Sequence, residues 1–195
     1  MNVAQALREK VGAYADVRLN DVDVAPEEIR AMLISEVAPG DPAQDFYAGG
    51  QYAADALAML RRAGIEVQDL HDALRRGIYL TNAAKLPKQG YAVEKTTVET
   101  SLPYLEAEIG LFPQLRVILL MGDVARRMVC RIARKTAGRN PIPAGATYRL
   151  RGQDFRFGEI RLMPSYIITG GNLLIEKSKV AMITEDLAAM AEIIR

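Results

Sequence analysis

The chain has 195 residues, half of them hydrophobic and a quarter charged, an ordinary balance for a globular domain with a sizeable core. A net charge of +1 exerts no global pull toward nucleic acid, and the single cysteine, Cys130, excludes intrachain disulfides and a thiolate-held cluster; no cofactor and no metal are expected. No stretch approaches the roughly 20 apolar residues that span a bilayer, and residues 1–12 carry Arg8, Glu9 and Lys10 instead of a signal-like apolar run; a cytoplasmic protein with no membrane partner is expected.

Val3, Leu7 and Val11 have helical spacing and residues 16–26 read as a loop, so 1–30 form an N-terminal helix and lead-in. Ala31–Val37 is a compact apolar run that ends in Ala38-Pro39-Gly40, a strand entering a turn. Ala54, Leu57, Ala58 and Leu60 give residues 51–63 a helical face. Val67, Leu70 and Leu74 do the same for a helix over 66–76, with Gly77 as its stop. Residues 78–81 form a buried strand, and 94–109 a helix interrupted by Pro103. Residues 116–122 give the clearest strand, followed by a helix over Asp123–Ala137. Tyr148, Leu150, Phe155, Phe157, Ile160 and Leu162 alternate with polar residues around Gly152 and Gly158, which predicts hairpin strands over 147–163. Residues 176–195 close the chain as an amphipathic helix. Strands alternating with helices predict one α/β domain over 1–195, a three-layer α/β/α sandwich with a central, largely parallel sheet. In such sheets ligands bind beyond the carboxyl ends of the strands.

Several segments gather at those ends: Glu36-Val37-Ala38-Pro39-Gly40, Asp45-Phe46-Tyr47-Ala48-Gly49-Gly50-Gln51, Thr81-Asn82-Ala83-Ala84-Lys85, the strand ending in Gly122, and Met163-Pro164-Ser165-Tyr166. In order and spacing, from about Ala31 onward, the chain resembles the uracil-DNA glycosylase superfamily, nearest the thermophile-type branch that carries an iron–sulfur cluster. Two motif positions differ: Val37 stands where that branch has glutamate, and Met163 where it has histidine. The cluster's cysteines have no counterpart.

The resemblance implies excision of uracil or another deaminated base from DNA, with the base flipped into a pocket. Asn82 would accept from uracil N3–H and donate to O4, which separates uracil from cytosine. Phe46 would stack the base, while Tyr47 covers the sheet edge. Ala38 and Gly40 would bring backbone amides to the sugar and to O2. Glu36, one position before the motif glutamate, would face the opposite side of the strand. Asp41 and Asp45 are therefore the candidate catalytic carboxylates. Met163 and Ser165 would complete the base pocket, although a thioether cannot donate to the leaving base. Lys85, Ser165 and Tyr166 would contact DNA. Residues 166–168 and 170–174 would supply an apolar wedge.

Other features read more plainly. The basic run from Arg126 to Arg139 is a solvated helix face, with phosphate contact as its second role. His71 is structural or exposed, and Cys130 belongs to the core. The missing glutamate and histidine also fit a non-catalytic member of the fold that binds DNA, a nucleotide or a protein through the same cleft. A nucleotide-type site unrelated to DNA is a third possibility.

Overall fold

A computed structural model describes residues 1–88, 90, 92–169 and 176–195. Five strands make one sheet in the order β2-β1-β3-β5-β4: β1 Ala31–Val37, β2 Ile78–Ala84, β3 Val117–Met121, β4 Phe155–Phe157 and β5 Ile160–Ser165. The first four in that order are parallel, and β4 returns antiparallel at the edge. Period-two alternation sends side chains to two faces. Met32, Ile34, Ile118 and Leu120 pack with α1 (Val3–Val11), α4 (Lys95–Ile109) and α5 (Asp123–Ala137). Leu33, Leu80 and Leu119 pack on the other face with α2 (Gln51–Arg62), α3 (Leu70–Arg75) and α7 (Lys177–Ile194). The molecule is thus an α/β sandwich of three layers about a mainly parallel sheet. No described helix is long and apolar enough to cross a membrane.

Three elements differ from expectation. The helix expected over 66–76 begins only at Leu70, because the Asp69 carboxylate accepts from the Asp72 amide at 2.7 Å and caps it. The carbonyls of Val67 and Gln68 accept instead from the Arg61 guanidinium, at 2.8 and 2.7 Å. Pro103 does not interrupt α4; it removes one backbone donor while Leu102, Tyr104 and Leu105 around it are buried. Only β4 and β5 of residues 147–163 form a hairpin, since Thr147–Leu150 is a short helix, α6, with Leu150 buried and Tyr148 exposed.

β2 lies at the sheet edge and runs on to Ala84, with every residue buried. The lead-in and the Tyr47 hydroxyl close that edge. Arg18 N donates to the Lys85 carbonyl at 2.7 Å, the Asn20 amide to the Leu80 carbonyl at 2.9 Å, and Leu80 N to Tyr47 Oη at 3.0 Å. An open strand edge would otherwise invite pairing with another chain.

Gly122 joins β3 to α5 at φ 103°, a backbone conformation that disfavours any side chain. Glu36, on β1, accepts from Val124 N at 3.0 Å and so places a carboxylate at the positive end of α5. A Cβ on Gly122 would overlap that carboxylate. Gly122→Ala is expected to destabilise the fold by about 1–3 kcal/mol. The urea midpoint should fall with the slope of the transition unchanged; an unmoved midpoint would contradict this.

Candidate site at the carboxyl edge of the sheet

Asn82 of β2 pairs in register with Ser35 of β1, and one residue beyond the Ile34–Leu120 pairing lies Met121, which pairs with Ser165. These residues form a rung across the carboxyl end of the sheet, on the face shared with Leu33, Leu80 and Leu119. Strand spacing places Asn82 and Ser165 about 14 Å apart across it.

Asn82 is 4% exposed. Its Nδ2 donates to Asp45 Oδ1 at 2.9 Å, whereas its Oδ1 is buried and has no hydrogen-bond partner among the described residues. The amide orientation follows from chemistry. An ionised carboxylate only accepts, so the opposite rotamer would set two acceptors against each other. Asp45 is held in turn by its own backbone environment: Oδ1 also accepts from Phe46 N at 2.8 Å, capping the short 3-10 turn Phe46–Ala48. Phe46 is buried in the α2–α7 layer with its ring tilted against Tyr52, centroids 5.6 Å apart. Gly50 allows this loop to fold tightly, because a Cβ there would strike the backbone of Ala43 and Gln44. The structure therefore brings three of the expected residues, Asn82, Asp45 and Phe46, into one connected group.

Other expected residues have different duties. Lys85 is not a phosphate contact: it is 1% exposed, and its ammonium meets Glu108 Oε2 at 2.5 Å and Thr81 Oγ1 at 2.7 Å. Tyr79 donates to Glu108 Oε1 at 2.6 Å and Thr81 does so at 3.0 Å, while Asn20 donates to the Tyr79 hydroxyl oxygen at 2.7 Å. Burial and the neighbouring Glu108 charge hold the Tyr79 phenol well above its ordinary pKa, so it remains a donor. Ser165 is likewise buried and donates its hydroxyl proton to Asp186 Oδ2 at 2.7 Å, leaving no hydroxyl hydrogen for a phosphate. Arg151 completes that cluster, with Nε 3.1 Å from Asp186 Oδ1. Burial pushes the Asp186 carboxyl up, against the opposing pull of Arg151 and Ser165.

Ala38 N donates to the Ala84 carbonyl at 3.0 Å, so this amide is committed to the sheet and not to a ligand. Asp41 is exposed and accepts from Ala43 N at 2.9 Å, the role of a turn cap. Gly40 lies exposed at that turn with open space around it. Met163 is buried in the α2–α7 layer. Tyr166 is half-buried with the Lys179 ammonium 5.8 Å from its ring centre. Of the expected wedge, Ile167 is exposed and Ile168 fully buried; residues 170–174 lie outside the described residues. On the basic helix face two residues pair across α4 and α5, Arg131 with Glu99 at 2.7 Å and Lys135 with Glu106. His71 meets the Tyr47 ring edge-on.

Behind Tyr47, a groove of about 380 Å³ separates residues 17–21 from residues 42–48. Arg8 and Arg18 line it together with Asp45, and Arg18 Nε is buried without a partner among the described residues. These two arginines were not singled out by any motif; they share the groove with Asp21 and Asp45. Among the described residues no group of three or more His, Cys, Asp or Glu side chains could hold a metal ion.

No protein-family model matches the chain, and no curated protein matches it either. The residues of the site must therefore supply the functional reading themselves.

Proposed function

We propose that the chain is a uracil-DNA glycosylase-like protein that receives a flipped uracil, or another deaminated base, at Asn82 and hydrolyses its N-glycosidic bond. The observation that carries this proposal is the buried Asn82 carboxamide, whose acceptor is left over in a connected group with a buried aromatic ring. Unpaired buried acceptors are uncommon in native proteins and call for a partner. Uracil supplies one, with N3–H for Oδ1 and O4 for the second amide hydrogen. Phe46 follows Asp45 directly in the chain, and stacking the base on it requires its buried ring to open a face away from Tyr52. Both bonds to Asp45 end on Oδ1, which leaves Oδ2 to orient a water toward the sugar. Without a donor at Met163, excision should run about a hundred- to a thousandfold below that of a site with one.

A second reading is favoured by the same side chains: Met163 cannot donate, and Glu36 is spent on the end of α5. A non-catalytic protein would keep the base pocket and lose the chemistry. The two separate in one assay, in which excess protein is incubated with uracil-containing oligonucleotides, single- and double-stranded, and abasic sites are revealed by alkaline cleavage. Abasic sites at uracil support excision. Uracil-dependent binding without them supports the second reading.

The Arg8–Arg18 groove is the proposed course of the nearby DNA backbone. Replacing both arginines by Ala is expected to weaken binding for every base sequence and to lower the magnitude of the salt slope by about 1–2. An unchanged slope would place the phosphates elsewhere.

A further inference from the structure

The Asp45–Asn82 contact has a consequence for which bases the cleft accepts. An asparagine alone is an ambiguous reader, since a half-turn about its last bond exchanges donor and acceptor and lets it pair with either edge polarity. Deamination changes that polarity. Cytosine presents an acceptor nitrogen beside a donor amino group; uracil presents N3–H beside a carbonyl. Adenine and hypoxanthine differ in the same sense. A reader that distinguishes a deaminated base from its parent must therefore be prevented from turning.

In this chain the restraint is visible. Asp45 Oδ1 lies 2.9 Å from Asn82 Nδ2, and the same oxygen is fixed by the Phe46 amide at 2.8 Å. Asn82 is buried at 4% exposure, so water cannot readily compensate a turned amide. Turning would place Oδ1 against the carboxylate and leave two amide hydrogens in its place. We infer that Asp45 is the specificity-determining positioning residue of this site: it locks the Asn82 carboxamide with Oδ1 toward the ligand, so that the cleft takes a base with an N–H/C=O edge and rejects one with an N/NH2 edge. This rests on the proposal that Asn82 meets a base at all. It assigns Asp45 a role separate from water activation, because it operates on binding, before any bond is broken.

The test is equilibrium binding of the full chain to oligonucleotides carrying a single 2′-fluoro-2′-deoxyuridine or 2′-fluoro-2′-deoxycytidine, analogues that resist hydrolysis. Wild type is expected to prefer the uracil probe by about 100-fold, the loss of two matched hydrogen bonds. Asp45→Ala removes the one oxygen that both caps Phe46 and faces Asn82 Nδ2, so the Asn82 carboxamide is free to turn. The variant's preference is expected to fall to about threefold or less, mainly through tighter cytosine binding. Asp41→Asn, which alters a neighbouring turn cap without touching Asn82, should retain the wild-type preference.

Uracil preference retained in folded Asp45→Ala would overturn the role of Asp45 while leaving base binding intact. Failure of wild type to bind the uracil probe better than an unmodified oligonucleotide would remove the base-binding proposal, and the inference with it. A readout independent of any variant is the wild-type side-chain amide signal of Asn82. Slow hydrogen exchange is expected for a locked amide, and rapid solvent-like exchange would overturn the lock even if Asp45→Ala failed to fold.

Discussion

Lys85→Met is expected to destabilise the folded chain by about 3–5 kcal/mol, the cost of leaving a buried charge without its partner. Glu108 is completely buried, and Lys85 is the cation that balances it. Tyr79 and Thr81 would still donate to Glu108, which softens the loss without replacing the charge. The double variant Lys85→Met with Glu108→Leu should recover a large part of the difference, because an apolar pair of similar volume incurs no desolvation of ions. Urea unfolding of the two single variants and the double gives the cycle. Additive losses would contradict a coupled pair. An exposed, phosphate-binding Lys85 would behave differently, with DNA affinity falling at unchanged stability.

The largest functional effect is expected at Asn82. On the proposed reading, Asn82→Ala removes both hydrogen bonds to the base edge and should lower single-turnover excision by about a hundred- to a thousandfold. Stability should change little, since loss of the Nδ2–Asp45 bond is offset by deletion of a buried acceptor that has no described partner. That combination separates a ligand-reading residue from a structural one. A structural Asn would lose stability in proportion to activity. Asp45 would then be left with the Phe46 amide alone, so the loop should remain capped.

Much of the architecture was legible because strand periodicity is a strong signal. The same alternation that sends Met32 and Ile34 to one face carries Glu36 there as well, which predicts its separation from Asn82 and fits its contact with Val124 N on α5. The polar interior was harder to read. Lys85 follows Asn82 by three residues, and nothing local in the sequence says that its ammonium turns inward. The signal lay 23 residues away: Leu102, Leu105, Ile109 and Phe112 mark an apolar face on and just beyond α4, and Glu108 sits within that pattern. An acid on an apolar face needs a buried cation. Asp186 is the same case on α7, between Ile183 and Leu187, and it accounts for Ser165. Asp45 could not have been paired with Asn82 from spacing, because the two lie 37 positions apart with a helix pair between them. The capped start of α3 was missed for a simpler reason, as the apolar period continues through Val67 while Asp69 takes the helix N-terminus.

The most direct test is single-turnover release of uracil from a labelled oligonucleotide at enzyme excess, with wild type and Asn82→Ala side by side. The expected result is slow excision by wild type and at least about a hundredfold slower excision by the variant, with both proteins folded. Equal rates for the two would contradict base reading by Asn82, and absence of excision in both would contradict the glycosylase reaction.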